Sequence, residues 1–400
     1  MTIPRIVVLI QRFYPIIGGM ERQCLAILSR FVSQGRDFTV WTHRPTPDSS
    51  PATRVAGITV RRFGQGTWSP TDMYAGWWAM LRTLYWERNS YDLIHVYGAG
   101  HLATIGLLVG RLAGKPVVVR PATYSDVTRY LAGGRSPEQT WLGCLIDFDP
   151  LHLKHHLFKR ATAWVALTEE IRSELQALGF PPQRIHLIAN GVDEEHYRPA
   201  DADTRQRLRA ALNLPASAVV FLFIGRFVTR KGLLDLLTAW EQLVETENGL
   251  YLLLVGSGKD QPDSIETEVL ARTTHLSFLQ HIGLVDDPVD LYRLADVLVL
   301  PSHREGLPNV LLEGMACGLA PVVTQIGGVA DVIQSGYNGL AVPPQQQAAL
   351  AMAMKTLIHQ PALRASLAAA ARETILTRYS LHQTIAAYDH LYLECIKTNS

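Results

Sequence analysis

Short apolar runs rich in valine and isoleucine alternate along this chain with stretches of helical periodicity, and that alternation constrains the fold more than any single motif. Runs at residues 5–11, 92–97, 116–120, 163–167 and 184–189 are each the length of one strand, and residues 19–33, 101–113 and 169–178 carry apolar positions at helical spacing. Strands joined through helices run parallel, and a parallel sheet is covered by helices on both faces. The pattern restarts beyond residue 200, with strand-like runs at 219–225, 251–256, 276–283, 295–301 and 320–324 and helical stretches at 233–244 and 307–317. Two α/β domains are expected, each a doubly wound, Rossmann-like sheet.

A length of 400 residues agrees with two domains of roughly 100 to 200 residues each. The expected limits are residues 1–195 and 196–379. Between them Asn190-Gly191-Val192-Asp193 and Pro199 interrupt the periodic pattern and mark a hinge. The last strand-like piece is 339–342, so the final helix, residues 380–397, has no later strand to cross to and is expected to pack back on the first domain. Cys24, Cys144, Cys317 and Cys395 form no CxxC pair, which points away from a disulfide framework or a cysteine zinc site and toward a reducing, cytoplasmic setting. The first apolar run, residues 6–10, is too short for a signal sequence, and Arg111 and Lys115 interrupt the longest later one, residues 102–119.

Charge is distributed unevenly. Residues 1–190 hold 21 Lys+Arg against 13 Asp+Glu, and residues 191–400 hold 16 against 23. A basic half attracts anionic partners or an anionic membrane face, whereas the basic residues come singly and match no nucleic-acid-binding pattern. Trp77, Trp78, Leu81, Leu84, Tyr85 and Trp86 form an aromatic helical patch beside Arg82 and Arg88. It reads either as core or as a contact with the membrane interface.

In open α/β sheets ligands bind outside the carboxyl ends of the strands, so the strand-to-helix loops hold the chemistry. After the first strand, Gly18-Gly19 precedes a helix, where backbone N–H groups and the helix dipole suit an anion. Gly225-Arg226-Phe227-Val228-Thr229-Arg230-Lys231-Gly232 leaves another strand with three cations and no Walker pattern; Arg226 offers a bidentate fork and Lys231 a point charge for a diphosphate. Pro301-Ser302-His303-Arg304-Glu305-Gly306-Leu307-Pro308-Asn309-Val310 leads into a third helix, whose N–H groups at residues 307–310 are read as its start. Glu305 lies in that loop and Glu313 inside the helix, deeper by roughly one turn. Carboxylates on both sides of an anion-binding helix start suit a ligand with hydroxyls at both ends and phosphates between.

In these motifs the chain resembles the GT-B retaining glycosyltransferases, specifically family 4, also called glycosyl transferases group 1. The resemblance spans Gly18-Gly19 and Glu21, Asn190-Gly191-Val192-Asp193, Gly225-Arg226, Lys231-Gly232, Leu254-Val255-Gly256-Ser257-Gly258, Gly283-Leu284-Val285, and Glu305 with Glu313. It implies two domains facing across a cleft and transfer of a sugar, with retention, from a nucleotide-sugar donor to a carbohydrate or lipid-linked acceptor. No metal and no other cofactor is implied. By the same resemblance Arg226 and Lys231 bind the diphosphate, Gly18 and Gly19 approach it, and the backbone at Val285 holds the base. Glu305 with Leu307, Pro308 and Asn309 orients the sugar, and Glu313 takes the ribose hydroxyls. Catalysis rests on Glu305, Arg226 and Lys231. Lipid-linked glycan or polysaccharide assembly at the inner face of a membrane is the expected setting.

One position departs from the family. Many relatives carry a histidine near the transferred sugar where this chain has Ala122. Acceptor-side candidates for its role are His95, Arg120, Thr123 and Tyr124, with His95, at the end of a strand, read rather as a structural partner of the sheet edge. The departure also leaves open a donor-binding subunit without catalysis, and the fold alone leaves open an epimerase or phosphorylase. Asp147-Phe148-Asp149 and Asp201-Ala202-Asp203 both read DxD at about the frequency of chance, and His152, His155 and His156 lack neighbouring carboxylate or cysteine ligands.

Overall fold

The structure is a computed structural model that describes residues 3–16, 18–132, 153–259 and 261–399. It divides into two compact units, Met1–Asn190 with His382–Ser400, and Gly191–Leu381. The chain therefore passes between units after Asn190 and again after Leu381.

The amino-terminal unit is built on β1 (Arg5–Ile10), β2 (Asp37–His43), β3 (Ala52–Val55), β4 (Ile58–Phe63), β5 (Leu93–Tyr97), β6 (Val117–Arg120), β7 (Ala163–Ala166) and β8 (Ile185–Leu187). Their order is β3-β4-β2-β1-β5-β6-β7-β8, and every neighbouring pair is parallel except β3 with β4. β5, β6 and β7 are buried along their whole length, as continuous apolar runs covered on both faces must be. Sequence periodicity did not reveal β2, β3 and β4. β3 and β4 mix Thr and Arg with apolar positions because this end of the sheet is less completely covered, and in β2 buried Thr42 and His43 interrupt the apolar run.

The helix Pro70–Trp86 begins at Ser69, whose hydroxyl accepts from the Asp72 N–H at 3.2 Å, with Pro70 in the first turn. Its aromatic patch splits by helical phase. Trp77, Leu81 and Leu84 pack on the core, while Trp78, Tyr85 and Trp86 face outward, Trp78 and Trp86 at 67% and 75% exposure. The terminal helix Leu381–Asn399 also belongs to this unit. Tyr392 joins Phe31 and Phe38 in an aromatic cluster, its hydroxyl pairs with His95 Nδ1 at 2.8 Å, and Asp389 takes the Arg36 guanidinium at 2.6 Å.

The second unit carries β9 (Val219–Ile224), β10 (Leu250–Val255), β11 (Leu279–Gly283), β12 (Val297–Leu300), β13 (Ala320–Thr324) and β14 (Leu340–Val342) in the order β11-β10-β9-β12-β13-β14, all parallel. Chain order reverses between β9 and β12, just as it does between β1 and β5 in the first unit. All six carboxyl ends lie on one edge of the sheet, and the loops leaving β9 and β12 meet at the switch point.

Candidate functional site

The loop after β9 runs from Gly225 into a 3₁₀ turn, Thr229–Lys231, closed by Gly232 at φ +65°. A Cβ on Gly232 would stand 1.9 Å from the Pro301 carbonyl oxygen, so only glycine admits the loop after β12 this closely. The two loops are stitched by the His303 N–H, which donates to the Arg230 carbonyl at 2.8 Å. This seam brings Lys231 and Glu305 together: Lys231 Nζ donates to Glu305 Oε1, with the side chains only 13% and 10% exposed. Ser302, itself buried, donates from Oγ to the same carboxylate oxygen at 2.9 Å, and its carbonyl accepts from Thr324 Oγ1. Glu305 is thus fixed by a cation and a hydroxyl.

Behind the seam, His303 Nε2 meets Asp235 Oδ2 at 2.6 Å, and Gln347 donates to Asp235 Oδ1 at 2.6 Å. Arg226 lies on the same loop as Lys231 but points outward, donating to Gln261 Oε1 at 3.0 Å. Gly256, at φ +135°, lets the exit of β10 press on that of β9; a Cβ there would be 1.9 Å from the Gly225 oxygen. The Gly256 N–H donates to Gly283 at 2.8 Å, which places half-buried Val285 two residues beyond on the same edge.

The helix after β12 is Asn309–Ala316 with Pro308 as its cap, so it begins two residues later than the sequence reading set it, and Leu307 is buried beside it. Proline explains the shift, because it lacks an N–H and disfavours helical geometry in the residue before it. Glu313 is buried inside the helix, and Oε2 accepts from the Tyr292 hydroxyl at 2.7 Å. Burial first, and then the Glu313 charge, push the Tyr292 phenol well above its ordinary range, which keeps it a donor.

In the amino-terminal unit Gly18 caps the helix Gly19–Ser33, and its N–H donates to Glu21 Oε2 at 3.0 Å. The anion position expected at this helix start therefore holds the chain's own carboxylate. The acceptor-side candidates separate. His95 and Arg120 are 0% and 1% exposed and lie inside the core, so neither presents its side chain to a ligand in this structure. His95 supports the terminal helix through Tyr392, and burial, with the Arg120 charge second, lowers its pKa to about 3. It stands on a central strand and not at the sheet edge. Arg120 Nη2 donates to Asn190 Oδ1 at 2.6 Å and its guanidinium lies 4.8 Å from the Tyr97 ring centre. Thr123 and Tyr124 are exposed in the loop after β6, where the Ala122 N–H donates to Asp126 at 2.8 Å.

Asp201 is the cap of the helix Ala202–Ala211, accepting from the Thr204 N–H at 2.7 Å, and that bond holds its carboxyl below the usual range. His155 Nε2 pairs with the Leu178 carbonyl at 2.8 Å. Asp147, Asp149, His152 and Cys144 lie outside the described residues. Sequence reasoning gave no role to Ser302, Asp235, His303, Gln347 or Tyr292. Ser302 and His303 stand inside the motif and were visible as polar residues beside Glu305, whereas Asp235, Tyr292 and Gln347 reach the site only through tertiary packing.

Residues 204–374 match the model for glycosyl transferases group 1, and residues 18–191 match the glycosyl transferase 4-like domain. The D-inositol 3-phosphate glycosyltransferase of Saccharomonospora viridis is 30% identical over 402 residues, covering 95% of this chain and 90% of the relative. The chain belongs to the glycosyl transferases group 1 family. The enzyme of the same name from Acidothermus cellulolyticus is 30% identical over 375 residues, 88% of this chain and 80% of that one. Among solved structures, sucrose-phosphate synthase from Thermosynechococcus elongatus aligns over 99% of this chain and 100% of its own, with a TM-score of 0.82 and 21% identity. HepE from Anabaena in complex with UDP aligns over 98% and 100%, with a TM-score of 0.77 and 20% identity. The fold of this glycosyltransferase is GT-B, two Rossmann-like α/β domains.

Proposed function

We propose that this glycosyltransferase moves a sugar from a nucleoside diphosphate donor, with retention at the anomeric carbon and without a metal, to a carbohydrate or lipid-linked acceptor. One observation carries the reading: Lys231 and Glu305 meet where the loops of β9 and β12 converge, a cation beside a carboxylate at the switch point of a parallel sheet. The UDP in the HepE complex supports a nucleotide donor on this fold.

The residues divide the work by charge. Lys231 binds the diphosphate, joined by Arg226 once its guanidinium turns from Gln261, and with the N–H groups at the start of Asn309–Ala316 they offset the negative charge that grows as the glycosidic C–O bond breaks. Glu305 accepts from sugar hydroxyls, and Glu313 accepts from the ribose. Val285 supports the base, and Gly18 and Gly19 approach the phosphates once Glu21 releases the Gly18 N–H. The acceptor hydroxyl attacks on the face from which the diphosphate leaves, its proton passes to the departing phosphate oxygen, and configuration is kept without a protein nucleophile. In this reading the fixed cations take the diphosphate charge that a metal would otherwise take.

No helix among the described residues is long and apolar enough to cross a membrane. Membrane contact at the cytoplasmic face is assigned to the outward side of Pro70–Trp86, where exposed Trp78, Tyr85 and Trp86 stand with Arg82 and Arg88. Lipid-linked glycan or polysaccharide assembly is the corresponding role.

The test incubates the pure protein with UDP-, GDP- and ADP-sugars in the presence of EDTA. Donor turnover is followed by chromatography and the product anomer by NMR. An inverted product, an epimerised donor, or no turnover with any donor defeats the reading.

A further inference from the structure

Three arginines stand at the carboxyl ends of β4, β2 and β1, which are neighbours in the amino-terminal sheet. Arg62 is the penultimate residue of β4, Arg44 directly follows β2, and Arg12 stands two residues past β1. The backbone fixes these ends against each other, with the Arg44 N–H donating to Phe63 at 2.8 Å and the His43 N–H to Gln11 at 3.3 Å.

Their charges are not neutralised by the protein. Arg5, Arg36, Arg61 and Arg172 of the same unit each meet a carboxylate, whereas among the described residues Arg12, Arg44 and Arg62 enter no salt bridge. Arg62 is 8% exposed and donates only to neutral carbonyls, Ser50 at 3.1 Å and Tyr14 at 3.0 Å. The Nε groups of Arg62 and Arg44 are buried without hydrogen-bond partners. Burial, and then the charge of Arg44, lower the proton affinity of Arg62. A buried cation beside a second cation is costly unless an anion joins them.

The surroundings are tightly determined. Arg12 lies 5.0 Å from the centre of the Trp68 ring, whose Nε1 donates to the Pro45 carbonyl at 2.9 Å. Trp68 holds φ +56°, and Gly66 beside it presses so closely on Thr46 that a Cβ would stand 2.3 Å from the Thr46 carbonyl carbon. Asp72 fixes the same turn through the Thr67 N–H at 2.9 Å.

We propose that Arg12, Arg44 and Arg62 form a phosphate-binding site on the amino-terminal unit that seats a phosphate group of the acceptor. The acceptor part of this statement rests on the transferase reading above. Phosphate fits better than carboxylate because three cations exceed one negative charge, and phosphate offers up to two charges with oxygens enough for several guanidinium forks.

Inorganic phosphate is titrated into the full chain at constant ionic strength, followed by calorimetry and by tryptophan fluorescence with Trp68→Phe as the blank. One saturable site is expected, weakened at least tenfold in Arg12→Met and in Arg44→Met, both chosen because these side chains are less buried than Arg62. UDP is titrated in parallel and should bind the variants as it binds the parent. Glycerol 3-phosphate and phosphatidylcholine vesicles containing phosphatidic acid then distinguish a free from a lipid-borne phosphate; binding of either that depends on the arginines supports the site. Equal phosphate affinity in parent and variants, or no phosphate binding, overturns it. Loss of UDP binding with arginine-dependent phosphate binding intact defeats the donor reading and leaves the phosphate site standing.

Discussion

Lys231 and Glu305 hold each other across the loops that leave two hydrogen-bonded parallel strands, β9 and β12. The proposed chemistry gives them different partners, the lysine a diphosphate and the carboxylate a sugar. The pair therefore keeps both groups in place before a donor arrives and must loosen when it does. Cutting each side in turn separates the roles.

Lys231→Ala is expected to weaken UDP binding by about tenfold or more, since a charge-assisted contact is lost from a mostly enclosed position. Glu305→Gln is expected to leave UDP affinity unchanged or a few-fold tighter, because it frees the lysine, while sugar transfer falls by about a hundredfold. Calorimetry and initial rates check both. Weaker UDP binding in Glu305→Gln would show that the pair itself, and not the lysine alone, builds the site.

Gly232 supports the seam through backbone geometry. Gly249 has nearly the same torsion, φ +71° against +65°, but nothing lies within 4 Å of where its Cβ would be. Alanine at 249 should cost about 1 kcal/mol, the strain of a left-handed residue alone. Alanine at 232 adds the collision with Pro301 and should cost at least about 2 kcal/mol more, with loss of nucleotide binding. Urea denaturation of the two variants measures the difference, and equal costs would mean that the loops are not locked together.

Tyr292 illustrates a second buried dependence. Tyr292→Phe removes the donor to Glu313 and leaves a buried carboxylate oxygen without that partner, at a cost of about 1 to 3 kcal/mol. Adding Glu313→Gln should recover part of the stability because the neutral amide needs less solvation. If Tyr292→Phe is as stable as the parent, Glu313 does not rely on the phenol.

Much of this was legible in the sequence. The alternation of apolar runs with helical stretches gives the parallel sheets, and glycines with charged residues after those runs give the loops. The spacing of Glu305 and Glu313 places one in a loop and the other in a helix, where both are found. What escaped is tertiary. Nothing local pairs Lys231 with Glu305, 74 residues apart, or Tyr292 with Glu313. His95 reads from the sequence as a structural partner of a sheet edge; its structural role holds, but on a central strand, where the terminal helix nearly 300 residues beyond β5 packs Tyr392 against it, and Arg120 is buried as well. β3 and β4 escaped because a partly covered sheet end tolerates polar residues, and β2 because buried Thr42 and His43 break its apolar run.

The buried His95 makes stability depend on pH. Its folded pKa is about 3 against an ordinary 6.5, so the unfolded chain binds the extra proton first. The stability from neutral His95 is complete above the ordinary value and is lost as pH falls from there toward 3. Between those limits the residue should add a slope of about 1.4 kcal/mol per pH unit. His95→Gln should flatten the curve by about one proton relative to the parent, measured by urea denaturation between pH 6.5 and 4. An unchanged slope would mean that His95 is solvated when it titrates.

The outward side of Pro70–Trp86 gives the last prediction. Trp78 and Trp86 are exposed by the helix period that buries Trp77 and Leu84, and Arg88 lies 4.9 Å from the ring centre of Tyr85. Indole rings on a helix that also carries Arg82 and is followed by Arg88 suit the boundary between headgroups and acyl chains of an anionic bilayer. The parent protein should therefore sediment with vesicles containing phosphatidylglycerol and far less with phosphatidylcholine alone. Replacing Trp78 and Trp86 together by alanine should reduce sedimentation by about tenfold while donor hydrolysis in solution stays unchanged, because neither ring supports the core. Salt should weaken the arginine contribution without abolishing the tryptophan one. Equal sedimentation of parent and double variant would assign any membrane contact to another face.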